Sequence, residues 1–211
     1  MTTVGSRKHR RRTESTAKEV GFRAPARIRG RLVNVGGQPI AGAVVHRAVQ
    51  EARGEWRLEG QAKTAPDGTL TLLTERQRPS RTMKLVYFPY SDSHAYSLSN
   101  ELELRVRAGV QLRATPRRLR NGQKVRFLGR VFGTLPPGGV TAALQVKNGS
   151  RYQTFRQLRV DPAKGGVVRT AYRFRATTAT TRYRFRLLIV RQAGLVYERG
   201  ASAAASVVVT R

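Results

Sequence analysis

Acid–base catalysis and metal ligation draw mainly on histidine, cysteine and carboxylates, and this chain of 211 residues has few of them: three His, 12 Asp plus Glu, and no Cys. His9 lies in a run of arginines, His46 inside an alternating apolar segment, and His94 in Asp92-Ser93-His94. That tripeptide has the letters of a hydrolytic triad, but a triad is assembled across a fold, not along three neighbouring residues, so it reads as solvated loop. Glu51, Glu55 and Glu59 follow one another at intervals of four. On a strand that spacing leaves all three exposed along one face, where nothing drives their pKa values apart as paired acid–base work requires. Asp67, Asp92 and Asp161 are too scattered for an oxygen cage around calcium. The lack of Cys removes disulfide frameworks, thiolate zinc sites and thiol nucleophiles together. With neither a GxGxxG nor a P-loop in the chain, no catalytic residue, metal or cofactor is expected.

What the chain has in excess is positive charge: 41 Lys plus Arg give a formal net charge of +29, which makes a polyanion the default partner. Residues 108–211 hold 21 of these cations and only two acids, Asp161 and Glu198. The cations also have a phase. Successive side chains of a strand point to opposite faces, so Lys124, Arg126 and Arg130 share one face and Val125, Phe127 and Val131 the other. Arg169, Arg173 and Arg175 likewise oppose Thr170, Tyr172 and Phe174, and Arg113 opposes Leu112 and Ala114. If the strands carrying these residues form one sheet, all seven make a single outward lattice. Arg182, Arg184 and Arg186, opposite Tyr183, Phe185 and Leu187, form a second set on the other sheet.

Two readings compete for these ten residues. An antiparallel sheet with one wet face needs polar side chains there, and Arg stems also cover apolar surface. Against that solvating role, like charges directly opposite on neighbouring strands cost from a few tenths to about 1 kcal/mol per pair, and almost no acid is present to relieve them. A face so uncompensated is expected to bind a polyanion in a salt-dependent manner. Arg forks fit planar carboxylate or phosphate, so acidic polysaccharide, teichoic acid, anionic headgroups and nucleic acid all qualify. The phase buries Tyr172, Phe174, Tyr183 and Phe185, which counts against a base-stacking platform and makes nucleic acid the poorer fit.

The elements that must hold these residues are strands. Residues 1–24 contain Arg7-Lys8-His9-Arg10-Arg11-Arg12 and almost nothing apolar, and read as a disordered basic tail. No apolar stretch follows the cluster, so no signal peptide is visible, although a truncated or misassigned start would look the same. No apolar run is long enough for a membrane span. From residue 27 onward, short period-2 segments alternate with Gly, Pro, Asn and Asp, the pattern of an all-β chain. Strands are expected near 27–33, 43–50, 55–64, 69–74, 83–88 and 101–107, with a polar loop over 90–100. A second series is expected near 110–115, 123–132, 140–147, 151–160, 167–175, 182–191 and 203–210. Asn148-Gly149 is the strongest hairpin signal in the chain. The expected architecture is two tandem β-sandwiches, 25–107 and 108–211, closely tied because only Ala108-Gly109 separates them.

Gly37-Gln38-Pro39-Ile40-Ala41-Gly42-Ala43-Val44-Val45 and Thr64-Ala65-Pro66-Asp67-Gly68-Thr69-Leu70 resemble the carboxypeptidase-regulatory-like (prealbumin-like) β-sandwich repeat of bacterial envelope proteins. The second half, with Thr115-Pro116, Asn121-Gly122-Gln123, the alternating run Thr181 to Arg186 and Gly194-Leu195-Val196-Tyr197, resembles a bacterial Ig-like domain. The resemblance implies non-catalytic extracellular or cell-envelope modules that bind, space or stiffen, and it transfers no functional residue. Three readings are thus open: an envelope module binding anionic polymer, a structural spacer, and an intracellular basic protein associated with nucleic acid.

Overall fold

Period-2 alternation becomes strand throughout. The computed structural model describes residues 16–52, 54–89, 97–98 and 101–211. In the first half run β1 (Ala17–Gly21), β2 (Arg27–Arg31), β3 (Val44–Glu51), β4 (Arg57–Lys63), β5 (Thr69–Leu73), β6 (Arg81–Tyr87), β7 (Ser97–Leu98) and β8 (Leu102–Arg107). The second half continues with β9 (Gly109–Thr115), β10 (Arg118–Arg120), β11 (Lys124–Phe132), β12 (Val140–Asn148) and β13 (Arg151–Val160). It ends with β14 (Val167–Arg173), β15 (Thr181–Ile189), β16 (Gly200–Ala201) and β17 (Ala205–Thr210). Among the described residues the only helical element is a 3-10 turn at Pro162–Lys164, so the chain is all-β.

In the first half the sheet β1-β8-β6-β3-β4 packs against the ribbon β2-β5, with Val45, Leu70 and Leu72 between them. In the second half β14-β11-β9 faces β10-β17-β15-β12-β13 in an immunoglobulin-like sandwich. Its core is the inward set of the alternation: Val125, Phe127 and Val131 from β11, Ala142 and Leu144 from β12, Phe185, Leu187 and Ile189 from β15, Val207 and Val209 from β17. The hairpin at Asn148-Gly149 forms one residue later than its signal. Asn148 pairs with Arg151, so the two-residue loop is Gly149-Ser150, with Gly149 at φ 54° in its first position.

The tail expected over residues 1–24 needs correction at its end. Residues 1–15 lie outside the described residues, but β1 pairs in parallel with β8, Ala17 opposite Glu103 through Gly21 opposite Arg107. Val20 is its only sizeable apolar side chain, so no periodicity marks it. The partner strand makes it a strand, and Glu19 adds an ion pair to Arg107 at 3.0 Å. Of the expected loop over 90–100, Ser97–Leu98 forms β7 against β6, and the rest, with Tyr90, Asp92, His94 and Tyr96, lies outside the described residues.

The two halves share one apolar cluster that runs from Phe22, Leu104 and Val106 into Leu112, Val131 and Tyr197. Phe22 meets the Tyr197 ring edge-on at 5.7 Å and stacks near Phe132 at 6.2 Å. Backbone bonds cross the joint as well: Ser80 N–H donates to Val196 O (3.0 Å), Glu198 N–H to Val106 O (2.8 Å) and Ala108 N–H to Glu198 O (2.9 Å). At Gly200 a Cβ would lie 2.1 Å from the Ala108 carbonyl oxygen, so the close approach requires glycine.

Candidate functional site

The three strands expected to share a sheet do so. β11 is central, with β9 and β14 antiparallel on either side, and its register fixes which outward residues are neighbours. Four rows cross the face. Lys124 lies opposite Arg173; Thr115, Arg126 and Ala171 form the second row; Arg113, Leu128 and Arg169 the third; Gln111, Arg130 and Val167 the fourth. Arg113, Lys124, Arg126, Arg130, Arg169 and Arg173 are all exposed, as is Arg175 just beyond the end of β14.

This register corrects one expectation. Like charges were expected to face each other across strands, yet only Lys124 and Arg173 do so directly. Elsewhere each cation is flanked by Thr, Ala, Gln, Val or the 42% exposed Leu128, in a checkerboard that spaces the guanidinium groups diagonally. The sheet therefore carries its charge at little cross-strand cost. What remains uncompensated is the charge itself. Among the described residues no carboxylate comes within ion-pair distance of any of the ten candidate cations. The two acids of the second half are engaged elsewhere: Asp161 accepts from Ala163 N–H at 2.9 Å and Glu198 lies 3.9 Å from Arg191.

Two of the ten are engaged in packing. Arg130 lies over the Phe132 ring at 5.1 Å, and Arg186, half-buried, lies 3.9 Å over Tyr152 while its Nε donates to Gln145 Oε1 at 2.8 Å. Arg182 and Arg184 are exposed on β15, opposite Val208 and Ser206 of β17. Across β17, β10 adds Arg118 and Arg120 around the buried Leu119. Their alternation is visible in the sequence, but three residues are too short a run to read as a strand.

A second arrangement escaped sequence reasoning. Arg47 shares the inward face of β3 with Val45 and Val49 and is 2% exposed. Its Nη1 donates to Leu73 O (2.8 Å) and its Nη2 to Glu75 (2.5 Å). Buried Arg81 approaches the other Glu75 oxygen at 3.7 Å and donates to Pro79 O, while Arg78 bonds Glu51 (2.6 Å) and Glu59 (3.2 Å). Glu51 and Glu59, expected to be exposed on one strand face, are half-buried members of this network, whereas Glu55 stays exposed. Burial raises the Glu75 carboxyl, but a backbone hydrogen bond and the Arg47 and Arg81 guanidiniums outweigh it and hold the group below its usual range. Burial pulls Arg81 below the ordinary arginine value against the attraction of Glu75. Among the described residues, Glu19, Glu51, Glu59, Glu75 and Glu103 of the first half thus pair with its own arginines, and none of its acids pairs with the lattice.

The open edge of the second sandwich holds a cleft of about 170 Å³ between β13 and β14. Phe155, Tyr172, Phe174 and Tyr183 line it together with the exposed Arg175 and the buried Thr177. Phe174 and Phe185 are buried and Tyr183 half-buried, as their phase predicts, but Tyr172, on the edge strand β14, is 40% exposed. Arg156 spans the edge just beside the cleft, donating to Thr170 Oγ1 (2.5 Å) and Ala171 O (3.2 Å). His46 packs edge-on against Phe88 at 5.6 Å. Among the described residues no group of three His, Cys, Asp or Glu could hold a metal, and no helix is long and apolar enough to cross a membrane.

No protein-family model matches this chain, and no curated protein matches it in sequence. Among solved structures it is similar to the D0-D1 domain of intimin, at 13% identity and a TM-score of 0.34 over 92% of this chain and 95% of that one. It is also similar to trypsin-activated alpha-2-macroglobulin from Escherichia coli, at 12% identity and a TM-score of 0.38 over 91% of this chain and 15% of that one. A third is the adhesin InvE of Yersinia pseudotuberculosis, at 9% identity and a TM-score of 0.34 over 91% and 56%.

Proposed function

We propose that this chain is a non-catalytic module whose second sandwich binds an anionic polymer through the outward face of β9, β11 and β14. The observation that carries this reading is the set of exposed cations Arg113, Lys124, Arg126, Arg169 and Arg173 on one sheet, with no ion pair to any of them among the described residues. Guanidinium groups held at fixed intervals by a ladder are pre-organised for a repeating carboxylate, sulfate or phosphate. The reading places the protein in the cell envelope or outside the cell, following the resemblance of its sequence to envelope repeats, and takes acidic polysaccharide as the polymer. The test is retention on an anionic polysaccharide column at about 0.15 M salt, where the Debye length is still ~8 Å. Retention is expected for the native chain and loss for the triple variant R113S/R126S/R173S; equal retention of both would overturn the reading.

One observation favours a second reading, a stiff spacer. The checkerboard lets the sheet tolerate its charge without a ligand, and the shared core at Phe22 and Tyr197 fixes the two sandwiches to each other. A spacer would pass the same column without retention.

A further inference from the structure

The lining of the cleft between β13 and β14 is mostly apolar, with Val146, Phe155, Tyr172, Phe174 and Phe185, and its one charged member is the exposed Arg175. Tyr172 lines the cleft and is 40% exposed, with Phe155 at 5.6 Å and 70° to it and Phe174 at 5.1 Å and 86°. Thr177 Oγ1 and Tyr183 OH satisfy each other at 3.0 Å. The Arg175 guanidinium, in contrast, has no hydrogen bond or ion pair among the described residues. From the cleft the cations continue along β14 to Arg173 and across to Lys124, so the cleft adjoins the lattice.

We propose that this cleft is a subsite for one carboxylate-bearing sugar ring of an acidic polysaccharide, with Tyr172 as the platform for the ring and Arg175 as the partner of its carboxylate. The proposal rests on the polymer-binding reading above and deepens it. A volume of about 170 Å³ is smaller than the ~300 Å³ or more of sites that enclose a whole drug-sized ligand, so it suits one ring of a chain that continues over the surface. The face of an aromatic ring is electronegative and attracts the weakly positive C–H groups on the face of a sugar. A nucleobase would use the same ring face but carries no carboxylate on its ring for Arg175 to pair with. The charge of Arg175 excludes a cationic guest and gives a planar carboxylate two parallel hydrogen bonds. Arg156 already occupies the Ala171 carbonyl on the neighbouring edge, which hinders an incoming peptide strand from pairing there.

The test titrates the full chain at about 0.15 M salt with an oligogalacturonate, a neutral oligogalactose of the same length and an oligo(dC). The expected result is binding of the oligogalacturonate alone, weakened about tenfold or more in Y172A and in R175S and kept within about twofold in Y172F, a tenfold change being ~1.4 kcal/mol. Unchanged oligogalacturonate affinity in Y172A would overturn the subsite, as would a Tyr172-dependent preference for oligo(dC). Long polygalacturonate with R113S/R126S/R173S separates the two claims. If that variant loses the polymer while Y172A binds the oligomer normally, the subsite fails and the lattice stands. If the native chain binds no polygalacturonate, both fail.

Discussion

Glu75 pairs with two buried arginines, Arg47 and Arg81, and Glu59 lies 4.0 Å from Arg47. Removing one partner of such a cluster leaves an uncompensated charge in the interior, at a cost of ~3–5 kcal/mol. Glu75 itself is 46% exposed and screened by water, which puts E75Q near the lower end, about 3 kcal/mol by chemical denaturation. Arg47→Met exchanges the buried charge for an apolar side chain and leaves Glu75 in water, so it is expected to cost much less than E75Q. The pH dependence follows the depressed Glu75 pKa. A carboxyl held below its ordinary value of 4.5 stabilises the fold fully above about that pH, and the contribution fades as pH falls through the lowered folded value. Acid titration of stability is expected to show this step in the native chain and lack it in E75Q. The one signal of this network in the sequence is the position of Arg47, in phase with the inward Val45 and Val49, and it went unread. Its partners were not legible, because they come from β4 and from the chain after β5, and period-2 alternation carries no information about tertiary proximity.

The strands that carry the candidate face were legible because β11 alternates buried with exposed, mostly cationic residues, and β9 and β14 set Arg113, Arg169 and Arg173 in phase with the exposed positions. Their register was not, since it depends on pairing between distant segments, and register decided the energetics of the lattice. Two substitutions test the checkerboard. Lys124→Glu turns the one direct like-charge pair into an attractive one and is expected to stabilise by ~0.2–1 kcal/mol. Leu128→Lys sets a cation between Arg113 and Arg169 and is expected to destabilise by a similar amount at each contact. Both are read as shifts of the denaturation midpoint, and the reverse signs would mean the face is not packed in this register. The strands that sequence reading missed, β1, β7, β10 and β16, are two to five residues long, and each forms against a longer partner. Too short to carry a period, they owe their structure to the neighbour that pairs with them.

At the scale of the whole molecule, the short connection at Ala108-Gly109 already indicated that the halves are closely tied, and the structure supplies the means. Phe22, from a segment read as tail, plugs the joint between Phe132 and Tyr197. Phe22→Ala is expected to cost ~3–5 kcal/mol and to split one calorimetric transition into two, while a single transition would show that the halves do not depend on this contact. Charge is divided between the halves in a way composition alone conceals: among the described residues the first pairs several of its Arg with its own acids, and in the second only Arg191 has an acid partner. The decisive measurement is the salt dependence of binding to an anionic polysaccharide. The native chain is expected to show affinity falling steeply and linearly on a log–log plot between about 0.05 and 0.2 M salt. R113S/R126S/R173S is then expected to flatten the slope by roughly 2–3, at ~0.7–0.9 per neutralised charge. Equal slopes and equal affinities in the two proteins would contradict the assignment of this face.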